Sequence, residues 1–255
     1  MQVINKLTYV CNAGILLELF GKKILIDALC NSVIPIYKNT PVDIKEKIIL
    51  GISPFDNIDI MLFTHNHEDH FDVKSTIEFL KHNKNTTIIS NKEVIKEIKK
   101  KITDSKNNNL IILNPSLYSG ERVSLKGINV EGISMLHDGK EYSDVENLAY
   151  LIEIGGKRVL HVGDAKAIKD NYIYLNYLKE DITLLIAPFP YVGVPTGRRL
   201  IERYIKANKI VAVHLPQREL DKYGWIKTTK KSYKRVENQF IKTVFLEEIG
   251  DSIEI

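Results

Sequence analysis

Ile58-Asp59-Ile60-Met61-Leu62-Phe63-Thr64-His65-Asn66-His67-Glu68-Asp69-His70 decides the reading of this chain. The apolar run Ile58 to Phe63 has the length and content of a buried strand. It feeds a His-x-His-x-Asp-His cluster, a spacing that arises seldom by chance in a chain with only seven histidines. In an extended or turning segment, residues two apart point to the same side, so His65 and His67 can share one metal. Where the chain turns towards a helix, Asp69 and His70 project differently and can serve a second. Imidazole and carboxylate suit Zn²⁺ first, with Mn²⁺ or Fe²⁺ as alternatives.

Working outward, Asp72 is placed to cap a helix whose apolar face is Val73, Ile77 and Leu80. Thr86 to Ser90 reads as a strand, Asn91 to Lys101 as a helix and Leu110 to Leu113 as a strand. Upstream, Leu7–Cys11, Ile15–Phe20 and Lys23–Asp27 read as strands, with Gly21-Lys22 as a tight turn. Residues 31–57 show three prolines and no clean periodicity. After Pro115 the β pattern restarts at Arg122–Leu125, Ile128–Met135, Ala149–Ile154 and Arg158–Val162. Helices are expected over Ala165–Leu178 and Thr196–Ala207, with strands at Ile182–Ala187 and Ile210–His214. Leu17 to Ala28 resembles Ile152 to Ala165, each a hairpin that delivers an aspartate, Asp27 or Asp164, at the end of its second strand. One 1–255 domain with pseudo-repeat halves of about 1–115 and 116–255 is the expected organisation.

Four ligands do not close two metal sites. His137, Asp164 and His214 each end a β-type run, which is where a metal site on the rim of a sheet needs them. His82 falls on the polar side of its helix, and His161 lies inside a strand as a core residue or a support behind a ligand. Two cysteines, Cys11 and Cys30, exclude a Cys-based zinc site and argue against a disulfide framework.

The order His65-x-His67-x-Asp69-His70, then His137, Gly163-Asp164 and His214, resembles the metallo-β-lactamase superfamily over essentially the whole chain. Leu25-Ile26-Asp27, Leu160-His161-Val162-Gly163-Asp164 and Val211-Ala212-Val213-His214 resemble its branch with ascorbate-6-phosphate lactonase and N-acylphosphatidylethanolamine phospholipase D type enzymes. The resemblance implies an α/β fold, a four-layer αββα sandwich of two packed mixed sheets with helices on the outside. It implies two divalent metals, one on His65, His67 and His137 and the other on Asp69, His70 and His214. Asp164 would bridge them, and Asp27 would orient a ligand histidine. Asn12 replaces a histidine common near the first strand of that branch; it keeps a hydrogen-bond donor but cannot titrate.

A dinuclear site of this kind acts through a bridging hydroxide on a small ester, lactone or phosphodiester, with Asp69 accepting the proton. No Gly-x-Ser-x-Gly elbow and no phosphate-cradling Gly-x-x-x-x-Gly-Lys loop competes. Tyr191, Arg198, Lys230 and Lys231 are the candidate substrate contacts. The last two belong to a cationic segment, Tyr223 to Arg235, expected to form a lid that attracts an anionic substrate. With 36 basic against 32 acidic residues the net charge is only +4, which disfavours binding driven by phosphate neutralisation. A nucleic-acid-binding role resting on Lys99–Lys101 and Lys227–Arg235, and a single-iron dioxygenase of the same fold, are the alternatives. Residues 1–6 show no export signal and no run approaches the roughly 18 apolar residues a membrane span demands, so a cytoplasmic enzyme is expected. Nothing in the sequence specifies an oligomer.

Overall fold

The computed structural model describes residues 5–102, 109–178 and 181–255. The first four residues, part of the stretch read for an export signal, lie outside them. The chain divides into two compact units. Unit 1 comprises Met1–Ile34, Lys38–Asn114 and Glu248–Ile255, and unit 2 comprises Pro35–Tyr37 and Pro115–Glu247.

In chain order, unit 1 begins β1 (Lys6–Cys11), β2 (Gly14–Leu19), β3 (Lys22–Ile26), α1 (Val42–Leu50) and β4 (Ile60–Phe63). It continues through α2 (Val73–His82), β5 (Thr87–Ser90), α3 (Lys92–Lys101) and β6 (Leu110–Ile112). Unit 2 follows with β7 (Gly120–Leu125), β8 (Ile128–Leu136), β9 (Glu146–Ile154), β10 (Lys157–His161) and α4 (Ile173–Leu178). After these come β11 (Leu184–Pro188), α5 (Pro190–Gly193), α6 (Pro195–Leu200), β12 (Ile210–Val213), α7 (Trp225–Lys234) and β13 (Thr243–Phe245). The last strand, β14 (Ser252–Glu254), returns to unit 1.

Each unit holds one seven-stranded mixed sheet, ordered β14-β1-β2-β3-β4-β5-β6 and β13-β12-β11-β10-β9-β8-β7. In unit 1, β14, β1, β2 and β3 pair antiparallel, whereas β3 to β6 run parallel. Unit 2 repeats the plan: β7 to β10 are antiparallel and β10 to β13 are parallel. Strands β1, β3 and β4 therefore end on one edge of their sheet, and β8, β10, β11 and β12 on one edge of theirs.

The parallel strands read as unbroken apolar runs because both faces are buried. In unit 1, Leu16, Leu25, Met61, Phe63 and Ile88 pack with Phe79, Leu80, Val94, Ile95 and Ile98 of α2 and α3. On the opposite face Ile15, Leu17, Ile24, Ile26 and Leu62 are equally buried. In unit 2, Met135, Leu151, Leu160, Leu185 and Ala212 pack with Tyr172, Ile201 and Ile205.

Four local expectations are corrected. The first hairpin turns on Phe20-Gly21, both at positive φ, one residue before the expected Gly21-Lys22. Its counterpart turns on Gly155-Gly156, also both positive, the two-residue geometry that matches strand twist. The stretch 31–57 contains a helix, α1, running from Pro41 as N-cap to Gly51 in the left-handed region as C-cap. The expected helix over 165–178 is regular only from Ile173, because Lys166 N–H bonds to Leu136 O and draws that stretch into pairing with β8. Finally, the helix expected over 196–207 ends in a π turn, Ile201–Ile205, closed by Lys206 at positive φ. Among the described residues, no helix is long and apolar enough to cross a membrane.

Candidate metal-binding site

Unit 1 gathers its site residues where β1, β3 and β4 end. Asp27 follows β3 with a left-handed φ of 48°, a conformation costly for most residues and tolerated by Asp. Its N–H continues the ladder to Leu62 O at 3.0 Å, which turns the side chain towards the end of β4. There the carboxylate accepts from Thr64 N at 2.8 Å, from Thr64 Oγ1 at 2.7 Å and from His70 Nδ1 at 2.8 Å. A fully buried carboxylate is stable only with such partners. With Nδ1–H given to Asp27, His70 presents Nε2 as its ligand nitrogen. The single proton of Thr64 Oγ1 is committed to Asp27, so the hydroxyl accepts from His65 Nδ1 at 3.0 Å. His65 thereby also presents Nε2, which lies 3.1 Å from His67 Nδ1.

Asn12, in the turn after β1, donates Nδ2–H to Asp69 Oδ2 at 2.9 Å and lies 3.2 Å from Asp69 O. Asp69 Oδ2 is 3.5 Å from His70 Nε2. Asp72 caps α2 by accepting from Lys74 N and Ser75 N, fixing where the cluster ends and the helix begins. Beneath Asp27, Cys30 Sγ lies 3.3 Å from Cys11 Sγ, which lies 3.4 Å from Asp27 O. Both are buried free thiols. Burial pushes the Cys11 thiol well up, while the hydrogen bond with Cys11 lowers Cys30. A Cβ on Gly14 would fall 2.4 Å from Cys11 Sγ and 2.6 Å from Asp27 O, so only glycine fits there.

Unit 2 gathers His137, Asp164 and His214 in the same way, past the ends of β8, β10 and β12. Asp164 Oδ2 lies 3.8 Å from His137 Nε2 and 3.3 Å from His214 Nε2. His137 Nδ1 is 2.5 Å from Asp138 O, which directs Nε2 to the carboxylate. His214 sits at a left-handed φ of 60° and meets the Tyr37 ring edge-on at 4.8 Å.

Two buried asparagines brace these ligands. Asn147 accepts from Asp164 N at 3.0 Å and donates to Val162 O at 3.1 Å. Asn171 accepts from Leu136 N and donates to Leu136 O and Lys166 O, at 2.8 to 2.9 Å. Asp138 N–H to Asp164 O at 2.8 Å completes the link between the His137 and Asp164 segments. The sequence reading missed Thr64, Asn147 and Asn171. Thr64 stands beside the His motif, but the asparagines bond to backbone atoms remote in sequence, which leaves no local signal. His161 is buried, its Nδ1 accepting from Gly163 N at 3.1 Å, and His82 is exposed.

Three expected substrate contacts have partners within the protein. Tyr191 is buried; its hydroxyl meets that of Tyr172 and donates to Ala165 O at 2.6 Å. Arg198 Nη1 donates to Val192 O at 2.6 Å and Ser232 Oγ at 3.0 Å, joining α5 to α7. Lys230 pairs with Glu247, so the positive charge expected of it is compensated. Lys231 is exposed on α7.

Residues 6–190, well over half of the chain, match the family model described as Beta-lactamase superfamily domain. The chain belongs to the beta-lactamase superfamily. It is 31% identical over 143 residues to a UPF0173 metal-dependent hydrolase of Nanoarchaeum equitans, covering 55% of this chain and 63% of that one. The match thus spans less than two thirds of that relative's length. A UPF0173 metal-dependent hydrolase of Korarchaeum cryptofilum is 25% identical over 209 residues, 82% of each chain. The metallo-beta-lactamase fold protein YhfI from Bacillus subtilis superposes with a TM-score of 0.68 at 16% identity, over 100% of both chains, and shares the fold. The α/β class and metallo-β-lactamase fold expected from the sequence are those of the chain.

Proposed function

We propose that this protein is a metal-dependent hydrolase with a dinuclear centre that cleaves a small ester, lactone or phosphodiester. His65, His67 and His137 would hold one divalent ion, and Asp69, His70 and His214 the other, with Asp164 shared between them. Zn²⁺ suits this donor set best, with Mn²⁺ or Fe²⁺ next. The observation that carries the reading is the Asp164 carboxylate, with Oδ2 at 3.3 Å from His214 Nε2 and 3.8 Å from His137 Nε2. The donor set fits a metal: His65 and His70 have Nδ1 engaged by an oxygen and aim Nε2 the other way, as metal-ligating histidines do.

When bound, the metals supply acidified water and polarise the oxygen of the group under attack. Asp69, anchored by Asn12, would orient the attacking water and accept its proton. Asn12 contributes a fixed donor and no proton of its own. Asp27 and Thr64 keep His70 and His65 in one tautomer, and Asn147 and Asn171 keep Asp164 and His137 in place.

Membership of the superfamily and the naming of both relatives as metal-dependent hydrolases support the reaction class. The sequence resemblance to the lactonase and phospholipase D type branch supports a small or lipid-derived substrate, anionic where Lys231 draws it in. The test is elemental analysis of protein purified without chelator, followed by turnover on panels of lactones, phosphodiesters and thioesters. Two metals per chain and turnover on one panel are expected. Metal content near zero after incubation with Zn²⁺ or Mn²⁺ refutes the centre. Dioxygen uptake by an iron-loaded chain that hydrolyses none of the panels would establish the dioxygenase alternative.

A further inference from the structure

Three aromatic rings of unit 2 lie in a ladder that no role described so far uses. Phe189 follows β11, and its N–H donates to Val213 O at 2.9 Å, one residue before His214. Trp225 lies over Phe189, with ring centroids 6.2 Å apart and planes 32° from parallel. Tyr223 stacks on Trp225 at 5.0 Å and 25°. Two of the three are open to solvent, Tyr223 at 74% and Trp225 at 42% of their surface. Leaving that much apolar area in water forgoes burial worth about 25 cal/mol per Å².

The ladder is also held rigidly. Asp221 accepts from Trp225 N at 2.8 Å and Ile226 N at 2.9 Å, fixing the start of α7. A Cβ on Gly193 would come 2.8 Å from Thr229 Oγ1, so α5 and α7 pack closely one helical turn beyond Phe189 and Trp225. Arg198, bonded to Val192 O and Ser232 Oγ, clamps the same two helices. A loose aromatic cluster needs no such framing.

We propose that Phe189, Trp225 and Tyr223 form a binding platform for a flat aromatic or heteroaromatic group carried by the substrate. This rests on the reading of His214 as part of the reaction centre. The stacked Tyr223 and Trp225 rings accept a further ring as the next rung, gaining stacking beyond plain area burial. An aliphatic group would gain area alone. Phe189 forms the base of the ladder, its N–H bonded to Val213 O beside His214, so the ladder rises from the edge of the sheet that carries His214.

The chain has one tryptophan, Trp225, so intrinsic indole fluorescence reports this platform alone. The full chain is titrated with adenosine and with 4-nitrobenzoate, each against its ring-free counterpart, ribose and acetate. Saturable quenching by the ring compounds and none by the counterparts is expected. Tyr223→Ala, at an exposed position, weakens that binding roughly 5- to 150-fold, the range for removing one stacking partner. Asp164→Asn, expected to abolish turnover, leaves the quenching intact, which separates failure of the platform from failure of the hydrolase reading. Linear quenching unchanged in Tyr223→Ala overturns the proposal, as does equal quenching by ribose or acetate. Emission that shifts with protein concentration and no added compound marks a second copy of the chain as the occupant, and overturns it too.

Discussion

Asp27 and His70 share a hydrogen bond of 2.8 Å with both side chains wholly buried, and the same carboxylate oxygen accepts from Thr64 Oγ1. Asp27→Asn tests this bond at small structural cost, because Asn also tolerates a left-handed φ. It removes the charge that holds the His70 N–H. Metal affinity measured by competition with a chelator should weaken about 10- to 100-fold, the usual effect of losing such a support. Asp27→Ala should do more, stranding three buried donors and lowering stability by about 3 kcal/mol or more in denaturant titration.

Asp164→Asn addresses the shared carboxylate. The amide keeps the shape and the backbone bond to Asn147, so circular dichroism should match the parent. Metal content should fall to about one ion per chain and turnover to background. Unchanged metal content and rate would show that Asp164 is not shared between two ions.

Asn171→Leu separates support from ligation. Leucine matches the volume but leaves Leu136 N, Leu136 O and Lys166 O without the amide that now joins them. Leu136 O and Lys166 O keep their bonds from Lys166 N and Ile168 N, so Leu136 N is the group left stranded. A stranded buried group costs about 1–3 kcal/mol, and a chain of this size loses roughly 2–4 °C in Tm per kcal/mol. A fall in Tm of about 2–12 °C is expected, with weakened metal binding. A variant with normal Tm and metal content would remove Asn171 from the brace.

Alkaline pH should unfold the protein in a defined window. Burial, then the neighbouring Glu131, pushes Tyr174 up to about 12. Burial pushes Tyr9, Tyr172 and Tyr191 up as well. The unfolded chain loses these phenolic protons near pH 10, whereas the folded chain keeps them. The stabilisation is therefore complete below about pH 10 and is lost as pH rises through the folded values. Urea midpoints should hold steady to about pH 9.5 and then fall, with phenolate absorbance rising together with unfolding. Tyr174→Phe should make the fall shallower between about pH 10 and 12. A steady midpoint through pH 12 would contradict this.

Much of the molecule is legible in the chain because its signals are local. The apolar run ending at Phe63, the cap at Asp72 and the two hairpins before Asp27 and Asp164 follow from hydrophobic pattern and turn chemistry between near neighbours. The His65–His70 cluster was visible because its side chains lie close in sequence. The α1 helix escaped periodicity, since only Ile48 of its residues is fully buried, although Pro41 and Gly51 mark its ends. Only tertiary structure decided that Thr64 ties Asp27 to His65, and that Asn147 and Asn171 brace Asp164 and His137. It alone turned Tyr191 and Arg198 inward, neutralised Lys230 with Glu247, and set Trp225 between Phe189 and Tyr223. Each of these depends on partners supplied by another strand or helix. A side chain's sequence neighbours fix its local conformation, whereas the partner it meets is set by how the sheet brings distant segments side by side.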